Sequence, residues 1–267
     1  MIRDITIGQY YSTDSVIHRM DPRTKILWAI FYMVILFVID SAAMYFAVLV
    51  FTFVMVYSSH VPFKFMLRGL KPIMIIVVIT ALLNLFTTQG ETVLFTVGKL
   101  NVTLEGLVLS VKMALRIVLL IVGTSLLTLT TSPTVLSGGL EVLLSPLKKM
   151  GVPISVFVMM ISIALRFIPT LLEETDKIIK AQTSRGADFE NGNILKRVKA
   201  MVPILIPLFV SSFRRADELA TAMECRCYNC DGERTSYRRY RFTKNDLYAL
   251  IALIVLCAVL IVIKVVQ

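Results

Sequence analysis

The chain has 267 residues, 57% of them hydrophobic and 17% charged, with a formal net charge of +10. That balance excludes an ordinary soluble domain and places the protein in the membrane class. The positive surplus gathers at the ends of apolar runs and in residues 141–244, which suits cytoplasmic loops and anionic lipid headgroups. No folded basic module is visible, so no nucleic acid is expected as a partner.

In chain order, Arg19, Asp21, Arg23 and Lys25 precede an apolar run at 26–39, and no small-x-small cleavage site follows. A retained span is expected rather than a cleaved signal. Residues 26–57 are too long for one comfortable span at about 1.5 Å per residue. Asp40-Ser41 near the middle predicts a tight hairpin between two short spans. A third span is expected at 72–86, a fourth at 104–129 and a fifth at 245–263, the last flanked by Lys244 and Lys264. Lysines and arginines in the short loops put the N-terminus and residues 131–244 on the cytoplasmic side. Lys112 and Arg116, four apart in the fourth span, are expected to snorkel to the outer interface.

Residues 134–228 read differently. A short amphipathic helix is expected at 134–150, halted by Gly151 and Pro153. Residues 154–183 predict a helix about 45 Å long, apolar in its first half and amphipathic in its second, where Glu173, Asp176, Lys177 and Lys180 fall. Asn191-Gly192-Asn193 is a turn signal. Residues 194–223 repeat the design, with Pro203 and Pro207 in an apolar half expected to kink it. The alternative is two extra spans with a cytoplasmic loop between them. The expectation is therefore an all-α polytopic membrane protein with about five spans and three cytoplasmic or interfacial coupling helices. It divides into a membrane domain at 1–130, a coupling domain at 131–244 and a C-terminal span at 245–267.

Both long segments run down to one arginine flanked by small residues: Ser184-Arg185-Gly186 and Cys225-Arg226-Cys227. Aligned on those arginines at an offset of 41, Asp176 matches Asp217 and Ala181 matches Ala222. Arginine carries a permanent charge and a planar fork of donors, and small neighbours let it enter a groove. Two matched tips argue for docking rather than for incidental helix caps.

Other signals are weaker. Cys225, Cys227 and Cys230 invite a zinc reading, but structural zinc takes four ligands, and His18 and His60 are far away in sequence. No metal or other cofactor is expected. Leu136-Ser137-Gly138-Gly139 imitates an ATPase signature in a chain without a phosphate loop. No positioned imidazole or paired intramembrane acid suggests catalysis. A stand-alone secondary transporter or channel would show inverted repeats of spans; the repeat found here is direct and cytosolic.

Several runs carry a family resemblance. They are Gly139-Leu140-Glu141, Ser145-Pro146-Leu147-Lys148-Lys149, Ser162-Ile163-Ala164-Leu165-Arg166-Phe167-Ile168-Pro169, Arg185-Gly186-Ala187-Asp188 and Arg214-Arg215-Ala216-Asp217-Glu218. With Asp21-Pro22-Arg23-Thr24-Lys25, they resemble the transmembrane coupling component of energy-coupling factor transporters. The resemblance implies a non-catalytic scaffold in ATP-driven uptake of vitamins or other micronutrients. It implies docking of Arg185 and Arg226, with Ser184, Gly186, Cys225 and Cys227 beside them, into two ATP-binding-cassette ATPases. A small substrate-binding membrane subunit would pack elsewhere. Ser184, Cys225 and Cys227 replace residues that are alanine or glycine in the family.

Overall fold

Asp21 and Pro22 start the first helix. The Asp21 carboxylate accepts the Arg23 backbone N–H at 2.9 Å, and Pro22 takes a position where no N–H is needed. The computed structural model describes residues 10–88, 92–97, 100–187, 189, 194–229 and 240–266. Helix α1 (Pro22–Val38) and helix α2 (Ala42–Ser58) form the expected hairpin around Asp40-Ser41. Each has 17 residues, about 25 Å, shorter than the roughly 30 Å of a hydrocarbon core.

Helix α3 (Phe63–Thr87) starts well before the predicted 72. Pro72 lies inside it, and its first turns carry Lys64, Arg68 and Lys71, a charged extension that hydropathy could not include. Strands β1 (Val93–Val97) and β2 (Leu100–Thr103) then pair antiparallel, with Phe95 opposite Val102 and Val97 opposite Leu100, a hairpin not foreseen from the sequence. Thr103 ends it and caps helix α4 (Leu104–Thr130) by accepting the Gly106 N–H at 3.2 Å. The single helix expected at 134–150 is instead helix α5 (Pro133–Leu143) followed by a 3-10 turn at Ser145–Met150. Pro146 explains the break, since it lacks a donor and disfavours helical geometry in the residue before it. Helices α6 (Ile154–Ser184), α7 (Ile194–Cys225) and α8 (Lys244–Val266) complete the chain, the first two running through Pro169, Pro203 and Pro207. The architecture is all-α apart from the small hairpin.

Length and composition suffice for a membrane crossing at Gly69–Thr87, Leu104–Thr130, Lys244–Val266 and also Ile154–Ser184. The contacts separate two units, one of Gly8–Leu143 with Tyr240–Gln267 and one of Leu144–Arg239.

In the first unit, Tyr32, Leu36 and Val48 are fully enclosed, and Trp28 stacks on Tyr32 with ring centres 5.2 Å apart. The Tyr32 hydroxyl faces Thr52 Oγ1 at 2.8 Å and the Leu119 carbonyl at 3.2 Å, joining α1, α2 and α4. Gly123 permits this, because a Cβ there would overlap the Tyr32 ring.

Around the start of α1, the buried charges Lys25 and Asp246 are satisfied mainly by backbone. Lys25 Nζ donates to the Thr130 carbonyl at 3.0 Å, the His18 carbonyl at 3.2 Å and Thr131 Oγ1 at 3.1 Å, closing the C-terminus of α4. Asp246 accepts the Asp21 N–H at 2.7 Å, and the Thr243 N–H and hydroxyl at 2.7 Å each. The chain between Asp21 and α8 is thereby bolted together. Arg116 turns to the α1–α2 hairpin, donating to the Ile39 carbonyl at 2.9 Å, 3.8 Å from the Asp40 carboxylate and over the Tyr45 ring. It caps that turn instead of standing free.

Asp246→Ala strips three donors of their acceptor. It is expected to lower stability by about 2–5 kcal/mol, read as a fall in melting temperature in detergent. Gly123→Leu should do the same by expelling Tyr32, while Lys264→Gln at the exposed end of α8 should leave the melt unchanged.

Candidate functional site

The second unit is built on α6 and α7, of 31 and 32 residues. Along α7, Ile204, Leu208, Ser211, Arg215, Leu219 and Met223 are shielded, a stripe at helical spacing. Leu195, Met201, Ile206, Phe209 and Phe213 stay exposed in its apolar half. A soluble helix would not leave so much apolar surface open.

The stripe has a polar centre. Glu174 of α6 accepts the Ser211 hydroxyl at 2.6 Å through one carboxylate oxygen and the Arg215 guanidinium at 2.6 Å through the other. Further along, the Tyr228 hydroxyl lies 2.6 Å from Met159 Sδ. As the α7 partner moves forward in sequence, the α6 partner moves back, so the two helices cross antiparallel. Glu174 and Arg215 are 41 residues apart, the same offset that superimposes Arg185 on Arg226. The contact thus joins equivalent positions of the repeat, and each helix runs on for about three turns, roughly 16 Å, to its own arginine.

Both helices end in the same way. On α6 the Ala187 N–H reaches the Gln182 carbonyl at 3.0 Å and the Gly186 N–H reaches Thr183 at 2.9 Å, with Gly186 at φ 87°. On α7 the Tyr228 N–H reaches Met223 at 3.0 Å and the Cys227 N–H reaches Glu224 at 2.8 Å, with Cys227 at φ 55°. This is the Schellman cap at each end, with Arg185 and Arg226 in the C-cap position. Cys227 takes the left-handed conformation that glycine takes at 186, a state that costs an L-residue about 1–2 kcal/mol. The missing glycine therefore changes the residue but not the shape of the tip.

Ser184, Arg185, Gly186, Cys225, Arg226 and Cys227 are all exposed. Ser184 bonds back to the Lys180 carbonyl at 3.0 Å, and no Cβ contact would meet a side chain added at Gly186. The six residues form two separate tips, one per helix, rather than a single pocket. Cys225 and Cys227 are free thiols; Cys230 lies outside the described residues. Among the described residues no group of three or more His, Cys, Asp or Glu side chains converges. The role of Glu174, Ser211 and Arg215 at the crossing was missed from the sequence, although the 41-residue register already placed Glu174 on Arg215.

Gly186→Val should fray the first tip by about 1–2 kcal/mol, whereas Cys227→Gly should be accepted or mildly stabilising. Amide hydrogen exchange at residues 185–187 and 226–228 separates the two outcomes.

Residues 13–237 match the family described as cobalt transport protein, CbiQ. A curated relative from Clostridium kluyveri, the energy-coupling factor transporter transmembrane protein EcfT, is 54% identical over 259 residues, 96% of each chain. EcfT proteins from Ruminiclostridium cellulolyticum and Bacillus subtilis are 53% identical over 247 residues (92% of each chain) and 46% identical over 260 residues (97% of this chain, 98% of the relative). With matches of that extent and identity, the chain belongs to the CbiQ/EcfT family, the transmembrane energy-coupling components of energy-coupling factor transporters.

Proposed function

We propose that this scaffold subunit docks two ATP-binding-cassette ATPases, one on Arg185 and one on Arg226, and passes their movement to a small substrate-binding membrane subunit. The observation that carries the reading is the pair of matching tips: two exposed arginines, each held by the same cap, at the ends of an antiparallel pair of helices. A guanidinium in that position can enter a cleft and pair with carboxylates or with carbonyls at a helix end. The relatives' names, which describe transmembrane proteins of energy-coupling factor transporters, support the same reading.

ATP binding and hydrolysis belong to the partners; the chain supplies the linkage. Closure of the ATPases would draw the tips together and tilt the apolar halves of α6 and α7 beneath the substrate-binding subunit, which would then release cargo. Vitamins or other micronutrients are the cargo class. The exposed apolar residues of α7 suit lipid and that subunit. The N-terminus and both tips would face the cytoplasm, following the basic loops. α6 is long and apolar enough to cross a bilayer, but Glu173, Glu174, Asp176, Lys177 and Lys180 fill its second half and would each be costly in lipid. An interfacial course for α6 suits those charges.

Arg185→Ala or Arg226→Ala is expected to weaken ATPase docking by about 2–5 kcal/mol where the charge is buried and paired, and the double variant should lose both copurification and transport. A double variant that keeps its ATPases and transports normally would remove the docking role. Transport by the purified chain alone in liposomes would favour a stand-alone carrier.

A further inference from the structure

Of the two polar contacts between the arms, Glu174 with Arg215 and Tyr228 with Met159, the first has an unusual property: it joins the same position of both repeats. When two copies of a helix cross about an internal two-fold, the residue on the axis faces its own counterpart. Two glutamates or two arginines there would repel. This chain has Glu174 on one arm and Arg215 on the other, while Asp176 and Asp217, away from that pair, are alike. The repeat has diverged at the position where identity would push the arms apart. Ser211 adds a second donor to the Glu174 carboxylate, so both of its oxygens are engaged.

The surroundings make the contact directional. The Glu174 and Arg215 side chains are 25% and 36% exposed, and Ser211 is half-buried, so the pair is neither sealed in a core nor loose in solvent. Leu208 and Leu219 lie one turn to either side on the α7 stripe. Apolar neighbours alone would let two smooth helices slide or rotate past one another, because dispersion and burial are non-directional. A charged pair with a serine hydroxyl has one good geometry.

From this arrangement we propose that Glu174, Ser211 and Arg215 are the pivot of the two coupling arms: positioning residues that fix the crossing, so that displacement of one arginine tip is delivered to the other. The pivot lies the same distance from each tip, which makes the two levers equal. Their equality suits a device driven by two similar motors. The proposal deepens the docking reading and rests on it for its functional consequence, though not for its structural one.

The test uses the full chain assembled with its ATPases and substrate-binding subunit in nanodiscs and liposomes. Glu174→Arg and Arg215→Glu each create a like-charge pair at the pivot, and the combined swap restores an opposite pair. Each single reversal is expected to keep the ATPases bound and hydrolysing, while transport per ATP falls about tenfold. The swap is expected to recover most of it. Single reversals that transport as efficiently as the wild type would overturn the pivot, as would a swap that recovers nothing, including where the single variants accumulate poorly.

Spin labels at Cys225 and Thr183→Cys, in a Cys227→Gly, Cys230→Ala, Cys257→Ala background, measure the tip-to-tip distance without any ATPase. One narrow distribution that broadens in each reversal and narrows again in the swap supports the pivot; a distribution unchanged by reversal overturns it. Because this reading is independent of docking, failure of Arg185 and Arg226 as docking residues would be told apart from failure of the crossing.

Discussion

Glu174 accepts from Ser211 and Arg215 near the place where both long helices change from apolar to charged, and the geometry of the second unit follows from that contact. Burial of leucines and isoleucines can hold two helices together, but it does not choose a register. An ion pair with a third polar partner does choose one, because moving either helix by a residue breaks it. The tips inherit their positions from this choice. Each arginine is carried about three turns beyond the crossing by a continuous helix, and a continuous helix transmits displacement because its hydrogen bonds are all internal.

The membrane unit solves a related problem with buried charge. Lys25 and Asp246 are almost inaccessible, an arrangement that would be costly if the groups were left unpaired. Lys25 spends its donors on the Thr130 carbonyl that ends α4, the His18 carbonyl and the Thr131 hydroxyl, while Asp246 collects the N–H of Asp21 and the N–H and hydroxyl of Thr243. Separate helix ends are thereby converted into one joint. Arg116 does a similar service for the α1–α2 turn. In both units, charges in an apolar chain occupy the ends and crossings of helices, where unpaired backbone or an opposite charge can use them.

The two tips show how a shape outlasts a residue. Gly186 enters the left-handed region without steric cost, and Cys227 enters it against a modest one. The hydrogen bonds of the cap are the same on both helices. Cysteine at 227 therefore serves where glycine stands at 186, since the turn is held by backbone hydrogen bonds.

The spans at 104–129 and 245–263, the hairpin at Asp40-Ser41 and the two long arginine-ended helices were legible in the sequence, because length, hydropathy and helical period are local properties of the chain. The tips and their 41-residue register were legible for the same reason. The early start of α3, the break at Pro146 and the β1–β2 hairpin were not, because charge beyond a span, a single proline and two short strands leave little trace in an averaged pattern. The partners of Lys25 and Asp246 were hidden for a deeper reason. They are joined across 105 and 225 residues of chain, and a separation of that size carries no periodic signal. Sequence alone thus determined which segments are helical, which are apolar and where the arginines stand. Tertiary structure alone decided which charges neutralise one another, and so where the arms cross, because pairing depends on distance in space after the chain has closed.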